Sequence, residues 1–568
     1  MALAAVGVAA LAAWLGTSWL STYRHAQAFQ DRVSALRAQV TARDWQAVTT
    51  AVPEALAAAE ELRAATGGVP WRVLSTLPGI GATAGAASDL ATSATGLLAA
   101  TRPLLPYAER VVDDGLRRAD GSVDLDLLTE VSPLLDDLAA AAGQAAGRLA
   151  RIDPDAVRPE LAVPLRQATV ELGDAALVLA NAADVARRLP SMLGADGTRD
   201  WLVLLQNPAE SRGSGGFPGA YVTLSAQDGR LEPTSAGKVG DLNATPIPLD
   251  GVPADSRVMW GDYLTQWNTF NLSAHFPLVG RLAANGMAAY GQPVDGVVAV
   301  DPRVIAALLE VTGPVTALGW TLTGDDAEAF FTVDSYARIP DQVQRNAVTV
   351  ALVQAALQAF LGGAWSPLDL AEAMSAPIGE GRLRVWSSAP VEQAWLEGLP
   401  VGGSVPDSPG PVVAVAFDNA SGSKLDAFVA TRVEYRPGTC PTRDVQSSTL
   451  SVTLRNDAPQ DLPVTSGNYG RADAEGGPEG STRLLVYIYA PVGAGFLAST
   501  IDGEEAPLYA GTERDRPVWW TYVTLERGQQ ATIDVSFTEP YVEGVPARVL
   551  GQGMVIDEQV TVAANPQC

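Results

Sequence analysis

The residue composition changes sharply at Trp201, and this change constrains the fold more than any other feature of the chain. Before Trp201 the sequence is rich in Ala and repeats apolar residues at intervals of three and four, as in WQAVTTAVPEALAAAEELRAAT at 45–66. Such spacing is typical of amphipathic helices. Because Pro53 and Gly67-Gly68 interrupt the pattern, several helices are predicted rather than one long coiled coil. We therefore expect an α-helical stalk over residues 24–199.

After Trp201, short β-rich runs alternate with helical patterns. The runs WLVLLQ, AYVTLS and DGVVAVD are typical of strands, and PRVIAALLEV at 302–311 is typical of a helix. This alternation predicts an α/β domain, which we place at residues 200–410 together with a helical extension. From 411 to 568, strand-like runs are separated by Gly, Pro and Asp turns, which favours a β-sandwich. The predicted fold class is multidomain α+β.

The first 23 residues, MALAAVGVAALAAWLGTSWLSTY, contain no charged side chain. About 20 apolar residues are enough for a helix to cross the hydrocarbon core of a bilayer, so residues 1–23 are predicted to be a transmembrane anchor. The alternative is a cleaved signal peptide with Ala26-Gln27-Ala28 as its cleavage site, although no basic segment precedes the apolar run. Arg24 and the Arg residues after it would by themselves place the rest of the chain on the cytoplasmic side.

Composition and missing motifs exclude several function classes. The formal net charge of −26 argues against nucleic acid as a partner, because binding phosphates along a nucleic acid requires an excess of Lys and Arg. The chain has only His25 and His275, and it lacks the motifs of zinc sites, nucleotide-binding loops and serine hydrolases. The only two cysteines, Cys440 and Cys568, either form one disulfide in an oxidising compartment or remain buried thiols.

The candidate site consists of polar side chains at the predicted strand ends of the α/β domain, where open α/β sheets bind ligands. They are Arg212, Lys238, Asp241, Asn271, Asp301, Arg338, Asp341 and Arg345. Arg suits phosphate because its planar group donates paired hydrogen bonds, and the glycines at 213, 215 and 216 would let backbone N–H groups approach an anion. The alternatives are solvated or salt-bridged cations and, for Asp301 and Asp341, helix N-caps.

Three segments resemble the family known as domain of unknown function 4012. They are LVLLQNPAESRGSGGFPGAY, PVDGVVAVDPRVIAALLEVTGPV (293–315) and FDNASGSKLDAFVATRVEYRP (417–437), and the β region opening STLSVTLRNDAPQDLP fits as well. The resemblance covers residues 24–568 in the same order. It implies an envelope protein of Gram-positive bacteria, anchored in the plasma membrane by a single span, with the bulk of the chain extracytoplasmic.

The central domain also resembles the LytR-CpsA-Psr phosphotransferases, which attach lipid-linked glycopolymers to peptidoglycan. TLTGDDAEAFFTVDSYARIPDQVQRNAV at 321–348 follows the order of segments in that family, and KVGD at 238–241 and FNLSA at 270–274 stand where its Pro-Arg-Asp and Asn segments fall. The resemblance implies a LytR-CpsA-Psr-like α/β domain. The chain departs from the pattern at Ser214, where the family has Asp, and at Gln344, where it has Arg, which leaves fewer metal and phosphate ligands.

The resemblance also implies roles for the candidate residues. Phosphate would be bound by Arg212, Lys238, Arg338 and Arg345, with Asn271 beside them. Asp241, Asp301 or Asp341 would activate a hydroxyl nucleophile, and Asp241 would hold Mg²⁺. Phosphoryl transfer depends mainly on positioning and charge neutralisation, so losing some of these groups lowers the rate by orders of magnitude.

Three functional hypotheses follow. In the first, the protein binds or acts on polyprenyl-phosphate-linked glycopolymer and, if it is an enzyme, transfers the glycopolymer to peptidoglycan in the cell wall. In the second, it is a non-catalytic envelope scaffold for glycan-assembly or surface proteins. In the third, it hydrolyses glycans with two carboxylates, although nothing in the sequence singles out a pair. The sequence does not predict an oligomeric state.

Overall fold

The computed structural model describes residues 2–113, 115–118, 120–363, 365–460, 462, 477–564 and 568. Within these residues the chain is multidomain α+β, with helices and several sheets. It divides into two compact units, residues 1–197 and 198–568.

The first unit is helical. Its helices are α1 (Ala2–Thr41), α2 (Trp45–Gly67), α3 (Val69–Leu74), α4 (Gly81–Thr101), α5 (Leu105–Asp113), α6 (Leu125–Leu149) and α7 (Pro159–Met192). The carboxylate of Asp44 caps α2, and that of Asp124 caps α6, each by accepting a hydrogen bond from a backbone N–H of the first turn. Helices α2 and α4 contact each other, and both carry fully buried alanines, Ala55 and Ala59 in α2 and Ala84 in α4.

The segment predicted as a membrane anchor forms the first part of α1. The side chains of residues 1–19 lie outside those that the structure describes. Among the described residues, no helix has the length and apolar composition needed to cross a bilayer. The anchor at 1–23 and the plasma-membrane location therefore stay predictions.

The second unit begins with an α/β part. Its elements are β1 (Arg199–Arg212), β2 (Gly215–Gln227), β3 (Arg230–Lys238), α8 (Ala254–Trp260), α9 (Phe276–Tyr290), β4 (Gly296–Val300), α10 (Pro302–Thr312), β5 (Val315–Ala317), β6 (Trp320–Leu322), α11 (Gly324–Ala329), α12 (Ser335–Arg338), α13 (Gln342–Gly362), α14 (Pro367–Gly379), β7 (Leu383–Ser387) and α15 (Pro390–Glu397). In the described chain the main sheet has the order β3-β2-β1-β4-β7. The neighbours β1 and β4 are parallel, and the other pairs are antiparallel.

The glycine-rich segment is a tight hairpin between β1 and β2. Strand β1 extends to Arg212, which pairs with Gly215 at the start of β2. A Cβ atom on Gly213 would lie 1.9 Å from the carbonyl oxygen of Leu272, and one on Gly216 would lie 2.2 Å from the carbonyl carbon of Asn207. Glycine is therefore required here because other backbone segments approach closely.

The β-rich part contains β8 (Val412–Asn419), β9 (Val429–Pro437), β10 (Val445–Asn456), β11 (Thr482–Tyr489), β12 (Gly495–Ile501), β13 (Glu504–Glu505), β14 (Tyr509–Glu513), β15 (Arg516–Leu525), β16 (Gln530–Pro540), β17 (Arg548–Leu550) and β18 (Gln559–Val562). Among the described residues one sheet has the order β13-β12-β16-β10-β9-β18 and the other β14-β15-β11-β8-β17. Side chains of both sheets, such as Val433 and Leu450 from one and Phe417 and Leu484 from the other, form a common core.

Strand β8 is buried on both faces. Val413 and Phe417 point into the core between the two sheets, whereas Ala414 and Ala416 join the core beneath the α/β sheet. Burial on both faces explains why the strand is a continuous apolar run instead of an alternating one. The α/β and β-rich parts accordingly belong to one compact unit.

The two cysteines are joined. Cys440, in the loop after β9, and the C-terminal residue Cys568 form a disulfide with their Cα atoms 5.7 Å apart. The bond ties the end of the chain to the same sheet in which β18 pairs with β9.

Candidate functional site

A cavity of about 440 Å³ lies at the carboxyl ends of the parallel strands β1 and β4. Its apolar wall includes Leu205, Phe217, Val222, Ile305, Phe331 and Val353. Polar side chains reach it from β1, from the end of β3, from the first turn of α13 and from the loop after β8. The edge of an α/β sheet at which parallel strands end is the usual position for a ligand.

The cavity brings together three of the predicted site residues. Lys238, Asp301 and Arg345 line it. The others, Arg212, Asp241, Asn271, Arg338 and Asp341, are not part of its wall. Of the residues that the sequence predicts to lie together, two cations and one carboxylate thus line the same cavity.

Arg345 is a buried cation with no carboxylate partner among the residues that the structure describes. It lies in the first turn of α13 with only 4% of its surface exposed. Its Nη1 atom donates to the carbonyl oxygen of Ile339 at 2.9 Å, and its Cζ atom lies 4.6 Å from the centre of the Tyr336 ring. No carboxylate of the described chain lies within ion-pair distance of it. The ring and the carbonyl hold the guanidinium group without neutralising its charge.

Lys238 is the last residue of β3 and is exposed. Its backbone N–H donates to the Oδ2 atom of Asp241 at 3.3 Å, so the exposed Asp241 supports the turn that follows the strand. Within the described part of the chain, no carboxylate forms an ion pair with the Lys238 ammonium group. Lys238 and Arg345 are therefore available to a ligand anion.

Arg212 is not a loop residue open to solvent, and its charge is already paired. It is buried at the end of β1, where its Nη2 atom lies 2.9 Å from the Oε1 atom of Glu210. The other carboxylate oxygen of Glu210 forms an ion pair with Lys424, from the loop after β8. Burial opposes ionisation of Glu210, but the charges of Lys424 and Arg212 prevail and lower the pKa of this carboxyl below its ordinary value. Glu210 therefore carries its negative charge at neutral pH.

Asp301 lines the cavity but already has structural partners. Its Oδ1 atom accepts hydrogen bonds from the backbone N–H groups of Arg303 and Val304, so it caps α10. Its Oδ2 atom lies 3.0 Å from Nη1 of Arg382, which is buried. Burial raises the pKa of Asp301 and Arg382 opposes that rise. The helix cap is thus the role that the structure shows.

The three remaining candidates lie outside the cavity for different reasons. Arg338 is exposed, with its Cζ atom 4.8 Å from the centre of the Trp320 ring. Asp341 caps α13 by accepting from the backbone N–H of Gln344 at 2.7 Å. Asn271 is fully buried and donates from Nδ2 to the carbonyl oxygen of Gly216 at 3.0 Å, which supports the β1–β2 hairpin.

A buried network explains why the β1 segment and the segment FDNASGSKLDAF are both needed. The Oδ2 atom of Asp426 accepts from the backbone N–H and the hydroxyl of Ser211, at 2.9 and 2.6 Å. The N–H of Gly213 donates to the Oδ1 atom of Asp418 at 2.6 Å. Burial raises the pKa of Asp418 to about 8 and that of Asp426 to about 6. The network fastens the loop that carries Lys424 to the end of β1.

Glu210, Lys424 and Tyr336 line the cavity but are not among the predicted site residues. Glu210 and Lys424 lie in LVLLQNPAESRGSGGFPGAY and FDNASGSKLDAFVATRVEYRP, which carry the family resemblance, and Tyr336 lies in the segment at 321–348. Glu210 was detectable, because residues two apart on a strand share a face and it precedes Arg212 by two. Lys424 was not, since nothing local links it to residues some two hundred positions earlier.

The predicted Mg²⁺ ligand, Asp241, does not belong to a cluster of possible metal ligands in the described chain. Among the described residues, no group of three or more His, Cys, Asp or Glu side chains is arranged to hold a metal ion. Mg²⁺ commonly uses one or two carboxylates together with the oxygens of a bound phosphate.

Comparison with known families agrees with one of the two resemblances. Residues 196–336 match the family model described as "Protein of unknown function (DUF4012)". This range contains Lys238 and Asp301 but ends before Arg345. The comparison with curated proteins finds no match. Over residues 196–336, from the start of β1 into α12, the chain is therefore similar to the DUF4012 family.

Proposed function

We propose that this is a membrane-anchored, extracytoplasmic protein of the cell envelope that binds polyprenyl-phosphate-linked glycopolymer in the cavity. Transfer of that glycopolymer to peptidoglycan in the cell wall is the reaction that such a site would serve. The observation that carries the proposal is the pair Arg345 and Lys238, two cations without carboxylate partners in the described chain on the wall of one cavity.

The local charge supports an anionic ligand. The whole chain has a formal net charge of −26, so cations without a nearby carboxylate stand out against their surroundings. Arg212 and Lys424 share the carboxylate of Glu210. Asp301 is balanced by Arg382. A phosphate group would satisfy the donors of Arg345 and Lys238 through charge-assisted hydrogen bonds.

The apolar wall supports a ligand with a hydrocarbon chain. Leu205, Val222 and Ile305 face the same cavity as the cations. Burying each methylene group of a ligand against such a wall contributes about 0.8 kcal/mol. A molecule that joins a phosphate to an isoprenoid chain therefore uses both parts of the site, whereas a free sugar uses neither.

The expected location supports a ligand of the envelope. The predicted anchor at 1–23 would hold the protein at the membrane, where lipid-linked glycopolymers are found. The Cys440–Cys568 disulfide is typical of an oxidising compartment outside the cytoplasm. The resemblance of the central domain to LytR-CpsA-Psr phosphotransferases points to the same ligand class.

The positions of the carboxylates support the alternative of a non-catalytic envelope scaffold that recognises the glycopolymer or organises the proteins that assemble it. Asp301 and Asp341 serve as helix caps, and Asp241 is exposed beside the cavity instead of within its wall. If transfer occurs, Asp241 remains the candidate ligand for Mg²⁺, which would neutralise charge on the phosphate. Binding is common to both hypotheses.

The test is to identify the lipid that the protein carries. The full-length protein is extracted from its own membranes in mild detergent, and the bound lipid is analysed by mass spectrometry. We expect polyprenyl phosphate or its glycosylated form with the wild-type protein and with Arg338→Met, but several-fold less with Arg345→Met. Equal recovery of such lipids with all three proteins, or recovery only of bulk phospholipids, would contradict the proposal.

A further inference from the structure

Glu210 occupies a position in the cavity wall that a phosphate could take. Its two oxygens face two different cations, Nη2 of Arg212 at 2.9 Å and the ammonium group of Lys424. Both cations lie over the Phe217 ring, at 5.4 and 5.1 Å from its centre. Side chains of Glu210, Arg212 and Lys424 are each about nine-tenths buried. The cavity wall thus contains an anion of the protein, Glu210, and one of the two cations that hold it, Lys424, whereas Arg212 is not part of the wall.

A second place for an anion lies next to the first. Arg345 has no carboxylate partner in the described chain, and Lys238 lines the same wall. Tyr336 connects the two places, because its ring faces Arg345 at 4.6 Å and its hydroxyl lies close enough to Lys424 to affect the titration of that ammonium group. One basic place is therefore open, and its neighbour is filled by Glu210.

We propose, on the basis of the function proposed above, that the cavity selects a ligand with a single phosphate group and that Glu210 excludes a diphosphate. The single phosphate binds at Arg345 and Lys238. A second phosphate would have to approach Lys424, where it would meet the carboxylate of Glu210. Two anions in one partly buried place repel each other strongly. Glu210 is thus a specificity-determining residue for the proposed ligand.

The test compares two probes that differ by one phosphate. Geranylgeranyl monophosphate and geranylgeranyl diphosphate are titrated into the full-length protein in detergent, and the dissociation constants are measured by calorimetry. We expect the wild-type protein to bind the monophosphate at least about tenfold more tightly than the diphosphate. This ratio corresponds to a difference of about 1.4 kcal/mol in binding free energy. Inorganic phosphate and pyrophosphate, used as competitors, should show the same order because the selection acts on the anionic end.

A variant separates Glu210 from the general negative charge of the protein. In Glu210→Gln the amide keeps the size and a hydrogen bond to Arg212 but removes the charge. We expect the diphosphate to bind about tenfold more tightly to this variant than to the wild type, with the monophosphate changed less than about threefold. Glu310→Gln, an exposed substitution away from the cavity, is the matched control and should keep the wild-type preference.

The outcomes distinguish the two proposals. If the wild-type protein binds neither prenyl phosphate, the proposed function fails and this inference fails with it. If it binds both but prefers the diphosphate, or if Glu210→Gln leaves a strong preference for the monophosphate unchanged, only the selection by Glu210 is overturned. The wild-type comparison needs no substitution, so a preference for the diphosphate overturns the selection even if Glu210→Gln does not fold.

Discussion

Lys424 forms an ion pair with Glu210, although 214 positions separate them in the sequence. The contact joins the end of β1 to the loop after β8, and both side chains line the cavity. It follows that neither the α/β part nor the β-rich part forms this site alone. A fragment that ended before residue 411 would lack Lys424 and Gly422 from the cavity wall.

The Glu210–Lys424 pair should be energetically coupled. Both side chains are nearly nine-tenths buried, so removing one partner leaves the other poorly compensated. In a double-mutant cycle with Glu210→Gln and Lys424→Met, we expect a coupling of about 1–3 kcal/mol in the free energy of unfolding. Urea unfolding of the four proteins measures it. Strictly additive effects would show that the ion pair does not form in solution.

Asp301 should contribute to the stability of the folded protein. Its carboxylate both caps α10 and pairs with the buried Arg382. We expect Asp301→Ala to lower the free energy of unfolding by about 3 kcal/mol or more, because the substitution leaves a buried charge short of a partner. Asp341→Ala, which removes only an exposed cap, should cost about 1 kcal/mol. Equal losses in the two variants would show that the contact with Arg382 contributes little.

The buried carboxyl of Asp418 should make stability depend on pH. Burial, the largest cause, raises its pKa to about 8, and Asp426 adds to the rise, while Arg212 and the N–H of Gly213 oppose it. Because the folded protein holds this proton more tightly than the unfolded chain does, the contribution is fully present below about pH 4 and is lost as the pH rises through about 8.

Asp418→Asn should remove this dependence, since the amide resembles the protonated acid. We expect the decline in stability between pH 5 and pH 9 to be smaller in the variant by about 4 kcal/mol. Unfolding at several pH values measures it, with Asp250→Asn, in an exposed turn, as the control. The same decline in Asp418→Asn and the wild type would mean that this carboxyl is ionised in the folded state.

The disulfide should stabilise the β-rich part. It joins residues 128 positions apart, so it removes many conformations from the unfolded chain. Reduction should lower the free energy of unfolding by about 2–5 kcal/mol. The double variant Cys440→Ser, Cys568→Ser should be less stable and insensitive to reductant. A melting temperature that reductant does not change in the wild type, together with free thiols in the native protein, would contradict the bond.

Much of the secondary structure follows from local patterns. The Ala-rich spacing before Trp201 predicts the helices of the first unit, and the alternation Leu450-Val452-Leu454 predicts a strand with one buried face, as β10 has. Continuous burial of β8 is not a local property. It depends on two cores meeting on opposite faces of the same strand.

Only part of the site can be predicted from the sequence, because the rest depends on contacts between distant segments. The rule that ligands bind at strand ends selects Lys238, Asp301 and Arg345, which line one cavity. It also selects Arg338 and Asp341, because sequence does not show which side of a helix start faces the cavity. The role of Glu210 depends on Lys424, a partner that only the tertiary fold supplies.

The most direct test of the central claim, that free cations in the cavity bind a prenyl-linked phosphate, is the affinity of Arg345→Met for geranylgeranyl monophosphate. Arg338→Met is the matched control, because Arg338 also lies over an aromatic ring but outside the cavity. We predict that Arg345→Met binds at least about tenfold more weakly than the wild type, as expected for the loss of a charge-assisted hydrogen bond. Arg338→Met should bind like the wild type. Equal affinities for all three proteins would contradict the account.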